Sequence, residues 1–341
     1  MNPEDHGVCH RMRTPEDIRR RPPYGTQGYS PTAVKELVVI SQPWGHTPYH
    51  FIVECLPKLM ILTEELAAYP DLKIHVPLSL DTLQSAEGAM IEEYLSVLGI
   101  DSSRLVFGEV YFAERVYWVT PTRCVIPPTT LALIAREEIR QRVKRLDDWE
   151  ELEDLEEEER FAIQVLEQSL RYRAKEPVIL LVQRSGRTRR LSQDVDKMIR
   201  SAVLDIGGRL IEYDAGLGLS PRTVLRLFGC ADAVIAPHGA GLANLISSRP
   251  GVHVLEFHPS SPSHESSGMP GLNLCALHLS RVLGLHYTGA LMHPVRETEG
   301  TTGAADSGGG EATAWTVEES VVETWLRSLN AVGSGSVPVG S

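Results

Sequence analysis

Short apolar runs alternate with helix-periodic stretches from about residue 34 onward. "KELVVIS" (Lys35–Ser41), "KIHVP" (Lys73–Pro77), "RLVFG" (Arg104–Gly108) and "RVYWV" (Arg115–Val119) read as strands. Between them, Pro48–Tyr69 and Asp81–Leu98 carry helical spacing, with Asp81 as a candidate N-cap. From Thr129 to about Arg173 nothing looks like a strand. A second alternation starts at Pro177. "VILLVQR", "RLIEY", "DAVIAP", "HVLEF" and "LHYTG" are the strands. Ser192–Val203, Pro221–Phe228, Leu242–Ile246 and Leu272–Leu283 are the helices between them. Short apolar strands joined by helical crossovers predict parallel sheets covered on both faces.

The pattern divides the chain into an irregular arm (1–33), an N-terminal α/β half (34–128) and a helical connector with an acidic insertion (129–175). A C-terminal α/β half (176–294), a Gly/Ser/Thr-rich disordered linker (295–313) and a terminal helix and tail (314–341) follow, with Trp315–Leu329 as the helix. Two α/β halves predict a cleft between them, a natural ligand site.

Composition narrows the function classes. The chain has 341 residues, 33 basic and 45 acidic, for a net charge of −12. That balance argues against general nucleic-acid or anionic-membrane binding. Asp147–Glu159 carries ten acids in thirteen residues, which reads as a solvated face. The cysteines (Cys9, Cys55, Cys124, Cys230, Cys275) form no C-x-x-C pair, which argues against a zinc ribbon or a dithiol redox site. No run of 18 apolar residues predicts a membrane span, and "MNPEDHGVCHRMR" has no signal-peptide core.

Three segments carry candidate chemistry. "DAVIAPHGAGLAN" (Asp232–Asn244) ends a strand in His238, Gly239, Ala240 and Gly241 and then turns helical. Glycines there permit tight turning and close backbone approach, and a following helix N-terminus suits phosphate oxygens. The dinucleotide fingerprint would need a third glycine, and an esterase loop would need a G-x-S-x-G elbow that this sequence lacks. Read alone, the loop is as much a plain Gly-rich turn as a phosphate site. "QRSGRTRRL" (Gln183–Leu191) follows the first strand of the same half, so Arg184, Arg187, Arg189 and Arg190 emerge at the same sheet edge. Guanidinium groups suit phosphates. Glu256, ending the next strand, suits ribose hydroxyls or a capping role.

The third segment is "WGHTPYHFIVECLPKLMIL" (Trp44–Leu62). Thr47 is a candidate N-cap, Pro48 fits the first helical position and Pro57 predicts a kink. His50, Glu54 and Lys58 fall on one stripe. The stripe reads as a base with an orienting carboxylate, as a metal set of His46, His50 and Glu54, or as a solvated or capping face.

In this order the motifs resemble glycosyltransferase family 61. "YHFIVECLPKL" is similar to its Y-H-W-x-x-E-x-L-P-R-L element. "VQRSGRTRRL" is similar to S-R-x-x-x-R-R-x-L, and "DAVIAPHGAGLANLI…VLEFHP" to V-x-x-x-H-G-A-G-L-T-N…V-x-E-x-x-P. The resemblance spans Val38 to Pro259, with Phe51, Lys58, Gln183 and Ala243 departing from the usual Trp, Arg, Ser and Thr. It implies a GT-B-like α/β fold of two Rossmann-like halves. It also implies an inverting transfer of xylose, GlcNAc or arabinose from a UDP-sugar to a glycan or glycoprotein hydroxyl, with no cofactor and no metal. Arg184, Arg190, His238, Gly239, Ala240 and Gly241 would meet the diphosphate, and Glu256 the ribose. His46 and Tyr49 would line the acceptor side. His50 would be the base with Glu54 orienting it, or Glu54 the base itself. A Golgi or secretory location comes with the resemblance, although no anchor is visible. A catalytically inactive nucleotide-sugar-binding protein and an NAD(P)-dependent oxidoreductase are the alternatives.

Overall fold

The computed structural model describes residues 32–42, 44–76, 86–106, 111–120, 122, 126–145, 176–184, 190–214, 219–260, 274–296 and 313–333. The Asp81 cap, the acidic run, Arg187, Arg189 and most of the 295–313 linker lie outside them. The chain divides into two compact units, residues 1–131 and 132–341.

The first unit is built on a parallel sheet. Its strands are β1 (Thr32–Val39), β2 (Lys73–His75), β3 (Leu105–Val106) and β4 (Tyr111–Trp118), in the order β3-β2-β1-β4. β1 therefore has a later strand on each side, so the winding reverses beside it. β4 is longer than expected, starting at Tyr111 rather than Arg115, because it pairs with β1 along its whole length.

The segment expected as one kinked helix over Pro48–Tyr69 is broken. It runs as α1 (Pro48–His50), a π-helical turn (Phe51–Cys55), α2 (Pro57–Met60) and α3 (Thr63–Ala68). The cause is Pro57. Its ring would press on the carbonyl four residues back in a regular helix, and it has no N–H to give. The π turn widens the coil by one residue before it, with Leu56 N–H donating to Phe51 O at 2.8 Å. Every side chain from Phe51 to Met60 is buried. α4 (Ala86–Val97) packs on the same unit, and α5 (Thr129–Arg145) runs from its end into the second unit.

The second unit holds β5 (Val178–Gln183), α6 (Gln193–Asp205), β6 (Arg209–Asp214), α7 (Pro221–Cys230) and β7 (Ala233–Pro237). A 3₁₀ turn (Ala240–Ser247), β8 (His253–Pro259), α8 (Cys275–Leu283), β9 (His286–Arg296), β10 (Thr313–Thr316) and α9 (Glu319–Gly333) complete it. The sheet order is β10-β9-β8-β7-β5-β6, parallel except for β10. Ser192 caps α6 by accepting from Val195 N–H at 3.3 Å, and Ser220 caps α7 in the same way through Thr223 N–H. One sheet face is closed by α6 and α9 over Ile179, Leu181, Ile235, Leu255 and Phe257.

Two expectations need correcting here. The terminal helix starts at Glu319, not Trp315, because Ala314 and Trp315 pair antiparallel with Val295 and Pro294. Residues 295 and 296 consequently belong to β9 rather than to a linker.

Candidate functional site

Each unit places a His–Glu pair at the carboxyl edge of its sheet, and each is described by itself.

In the first unit the pair is His50 and Glu54. His50 Nδ1 lies 2.9 Å from Glu54 Oε2. The glutamate is fully buried, whereas the imidazole keeps 15% of its side chain exposed. The sheet supplies a third partner. Gln42, just beyond β1, donates its amide Nε2 to the same Glu54 oxygen. Its carbonyl accepts from Lys58 Nζ at 2.7 Å and from Thr122 Oγ1 at 3.1 Å and N–H at 3.3 Å. Those donors fix which end of the Gln42 amide faces Glu54. Thr122 follows β4, so the hydrogen bond joins the two strands between which the winding reverses.

Lys58 is fully buried and gives a second hydrogen bond to Ile40 O at 3.0 Å. Burial pushes its ammonium below its usual value. With Nδ1–H donated to the carboxylate, the basic nitrogen of a neutral His50 is Nε2. Cys55, one residue past Glu54, has its thiol pushed up to about 12 by burial, which makes it inert.

The other residues predicted for this half sit at its margin. Tyr49 is buried and meets His50 edge-on at 5.7 Å. His46 is half-buried, with its ring 6.2 Å from that of Trp44. Thr47 holds the N-cap position, but its hydroxyl turns back to Trp44 O at 3.0 Å and leaves the helix uncapped by a side chain. Trp44 itself has φ 63° and is 42% exposed, a left-handed backbone that costs a non-glycine residue about 1–2 kcal/mol.

In the second unit the pair is His238 and Glu256. The order β7-β5-β6 makes the gap between β5 and β7 the point where the winding reverses. Arg184 leaves β5 and His238 leaves β7 on either side of that gap. Arg184 Nη1 donates to His238 O at 3.0 Å, so two of the predicted phosphate contacts are joined at the place where open α/β sheets bind ligands. Arg190 stands just before Leu191, which bridges to Trp315 of β10. Arg190 is exposed, and its carbonyl accepts from Trp315 N–H of β10 at 3.0 Å.

Neither Gly239 nor Gly241 has a left-handed backbone, and Gly239 is extended at φ 173°. What Gly239 supplies is room: a Cβ there would lie 2.5 Å from Arg184 Nη1. The segment after it is a 3₁₀ turn rather than an α-helix.

Glu256 is fully buried. Its Oε1 lies 2.6 Å from His238 Nδ1, and its Oε2 accepts from the Tyr287 hydroxyl at 2.6 Å. His258 Nε2 lies 2.8 Å from that hydroxyl. The carboxylate expected to accept from a ribose thus has both oxygens engaged by side chains of its own unit. Burial pushes its pKa up, but the hydrogen bonds from His238 and His258 and their charge outweigh burial and bring it to about 2. Burial, with the Glu256 charge beside it, raises that of Tyr287.

Among the described residues, the three donor atoms close enough to share a cation belong to His238, Glu256 and His258, within 4.8 Å of one another. His46, His50 and Glu54, the metal set suggested by spacing, do not form such a group.

Gln42, Thr122, His258 and Tyr287 were not singled out from sequence. His258 had a signal, since it stands two residues after Glu256 on one strand and so shares its face. Gln42 directly follows an apolar strand, where site residues collect. Tyr287 depends on the β8–β9 pairing and had none.

A family model, Glycosyltransferase 61, matches residues 48–255. No curated protein matches the chain. Solved structures that overlap it include two flavo di-iron protein mutants from Thermotoga maritima, at 9% and 11% identity, each with a TM-score of 0.29. The overlaps cover 72% of this chain and 49% and 47% of theirs, so it spans about half their length. With more than half of its residues matched by that one family model, the chain belongs to the glycosyltransferase 61 family, whose activity is the transfer of a sugar.

Proposed function

We propose that the protein moves a sugar from a UDP-sugar to a glycan or glycoprotein hydroxyl with inversion, and without an obligatory metal. Two parallel sheets with helical crossovers support a GT-B reading. The single observation that carries the donor site is the Arg184–His238 hydrogen bond across the β5/β7 gap. A guanidinium and a loop of backbone N–H groups are thereby gathered where a diphosphate would sit, and such groups stabilise the charge of a departing UDP.

His50 is the base of this reading. Its Nδ1 proton is committed to Glu54, which leaves Nε2 to take the acceptor proton as the hydroxyl attacks the anomeric carbon. Glu54 is fully buried and tied to Gln42 and His50, so it orients the imidazole rather than meeting the hydroxyl itself. Tyr49 and His46 border that site. A Golgi or secretory setting comes with the family.

The test is a thermal-shift panel of UDP, UDP-xylose, UDP-GlcNAc, UDP-arabinose and NAD, followed by donor hydrolysis with the sugar that stabilises most. UDP compounds should raise the melting temperature through mass action, and the right donor should release UDP slowly. Stabilisation by NAD and by none of the UDP compounds would overturn the reading.

A further inference from the structure

The family match ends at residue 255; Glu256 and His258 follow it directly, and Tyr287 lies further on, on β9. Their hydrogen bonds can be assigned a direction. The Tyr287 hydroxyl has one proton and gives it to Glu256 Oε2. Its oxygen is then an acceptor, so His258 carries its proton on Nε2 and donates to it at 2.8 Å. The chain runs from His258 to Tyr287 to Glu256, with His258 Nε2 also 3.3 Å from Glu256 Oε2, and Glu256 accepts from His238 Nδ1 at its other oxygen.

Two further observations fix the group. The imidazoles of His238 and His258 are stacked, with centroids 5.3 Å apart and planes 23° from parallel. Gly289 lies against Tyr287 and His258: a Cβ there would be 3.3 Å from the Tyr287 hydroxyl and 3.6 Å from His258 Cδ2.

We propose that His258 and Tyr287 are positioning residues that clamp His238 through Glu256 and so set how the loop meets an anionic ligand; this rests on the diphosphate reading of the loop. A buried carboxylate is a costly way to join two strands, since apolar packing would do so without stripping water from a charge. The cost is understandable where the charge has work at the surface. Glu256 and His258 are buried, and His238 keeps 13% of its side chain exposed. A carboxylate on Nδ1 selects the imidazole's tautomer and fixes its orientation, as the aspartate of a catalytic triad does for its histidine.

The test uses the full chain and the variant Tyr287→Phe, which keeps the ring and removes one hydroxyl. UDP affinity is measured by calorimetry at neutral pH, and the His238 tautomer by ¹⁵N imidazole NMR. The expected result is UDP binding weaker by roughly three- to tenfold, less than the full effect of a hydrogen bond to a charged group because the loss reaches UDP only through Glu256 and His238. His238 should also change from one tautomer to a mixture. A folded variant with unchanged UDP affinity and unchanged imidazole signals overturns the proposal. If the parent binds no UDP, the donor reading falls, and the imidazole spectra alone decide between a clamp on His238 and none. Should Tyr287→Phe fail to fold, His258→Gln is judged by the same two readouts.

Discussion

The two units solve one problem twice, with different ends. Each sets a histidine at the sheet edge where the winding reverses and backs it with a fully buried glutamate through Nδ1. What stands behind the glutamate differs. Glu54 is balanced by the buried Lys58 ammonium, reached through the Gln42 amide. Glu256 is held by a phenol and a second imidazole, and the backbone carbonyl of its histidine takes a guanidinium. In the first pair the lysine stands behind the carboxylate, across the Gln42 amide, and Nε2 is left as the nitrogen not bonded to Glu54, which suits proton removal. An arginine in front of the second adds positive charge beside the loop, which suits an anion. On the proposed function, one dyad would serve as base and the other as anion contact, according to where the nearest cation lies.

The comparison is broken most directly by swapping the losses. His50→Ala should lower transfer by about 10²–10⁴-fold, the usual contribution of a general base, and leave UDP affinity unchanged. Arg184→Ala should weaken UDP binding by roughly ten- to a hundredfold, the range for a hydrogen bond to a charged group. Transfer kinetics beside UDP calorimetry check both. If His50→Ala weakens UDP as much as Arg184→Ala does, the two pairs do not have separate jobs.

Gly239→Ala sharpens the second half of that test. Its backbone is extended, so alanine brings no conformational strain and acts only through space. The new methyl would meet Arg184 Nη1 at 2.5 Å and push the guanidinium aside. UDP affinity should fall severalfold while the melting temperature hardly moves. Unchanged affinity would show that Arg184 need not lie on the loop.

The alternation of apolar runs made the α/β class and most strands of both sheets readable; β5, β7 and β8, buried on both faces, declare themselves by their own side chains, whereas β4 carries exposed Phe112, Val116 and Trp118. Arg184 and His238 were readable as neighbours for the same reason, since both follow strands of one parallel sheet. The π turn at Phe51–Cys55 was not. Pro57 announces a break, but whether the coil kinks or widens is decided by the burial of every residue around it. Tyr287 could not be foreseen because its contact with Glu256 exists only through the β8–β9 register, which pairs Val254 with Tyr287. From its place at a strand end Glu256 suits a ribose or a capping role; its two oxygens are engaged from within by partners 18 and 31 residues away.

Acid should separate the pairs next. The Glu256 pKa stands at about 2 in the fold against a usual 4.5. A depressed carboxylate adds stability that is complete above its unfolded value and is lost as pH falls toward its folded one. The second unit should therefore weaken progressively between about pH 4.5 and pH 2. Glu256→Gln should flatten that limb in an acid titration followed by circular dichroism. An equally steep limb in the variant would assign the acid sensitivity to other carboxylates.

The smallest effect concerns the scaffold of the first pair. Cys55 closes the π turn that carries Glu54, and it is fully buried with its thiol pushed up to about 12. At pH 8 only about one molecule in ten thousand would carry the reactive thiolate, even before access is counted. Iodoacetamide should therefore leave the Cys55 peptide unmodified in the folded protein and alkylate it after denaturation, as read by mass spectrometry. Cys230, half-buried at the end of α7, should react sooner. Labelling of Cys55 at the Cys230 rate would mean that the π turn opens in the native state. A base held by so mobile a segment could not be oriented by the glutamate one residue away, and the contrast between the two pairs would reduce to Arg184 alone.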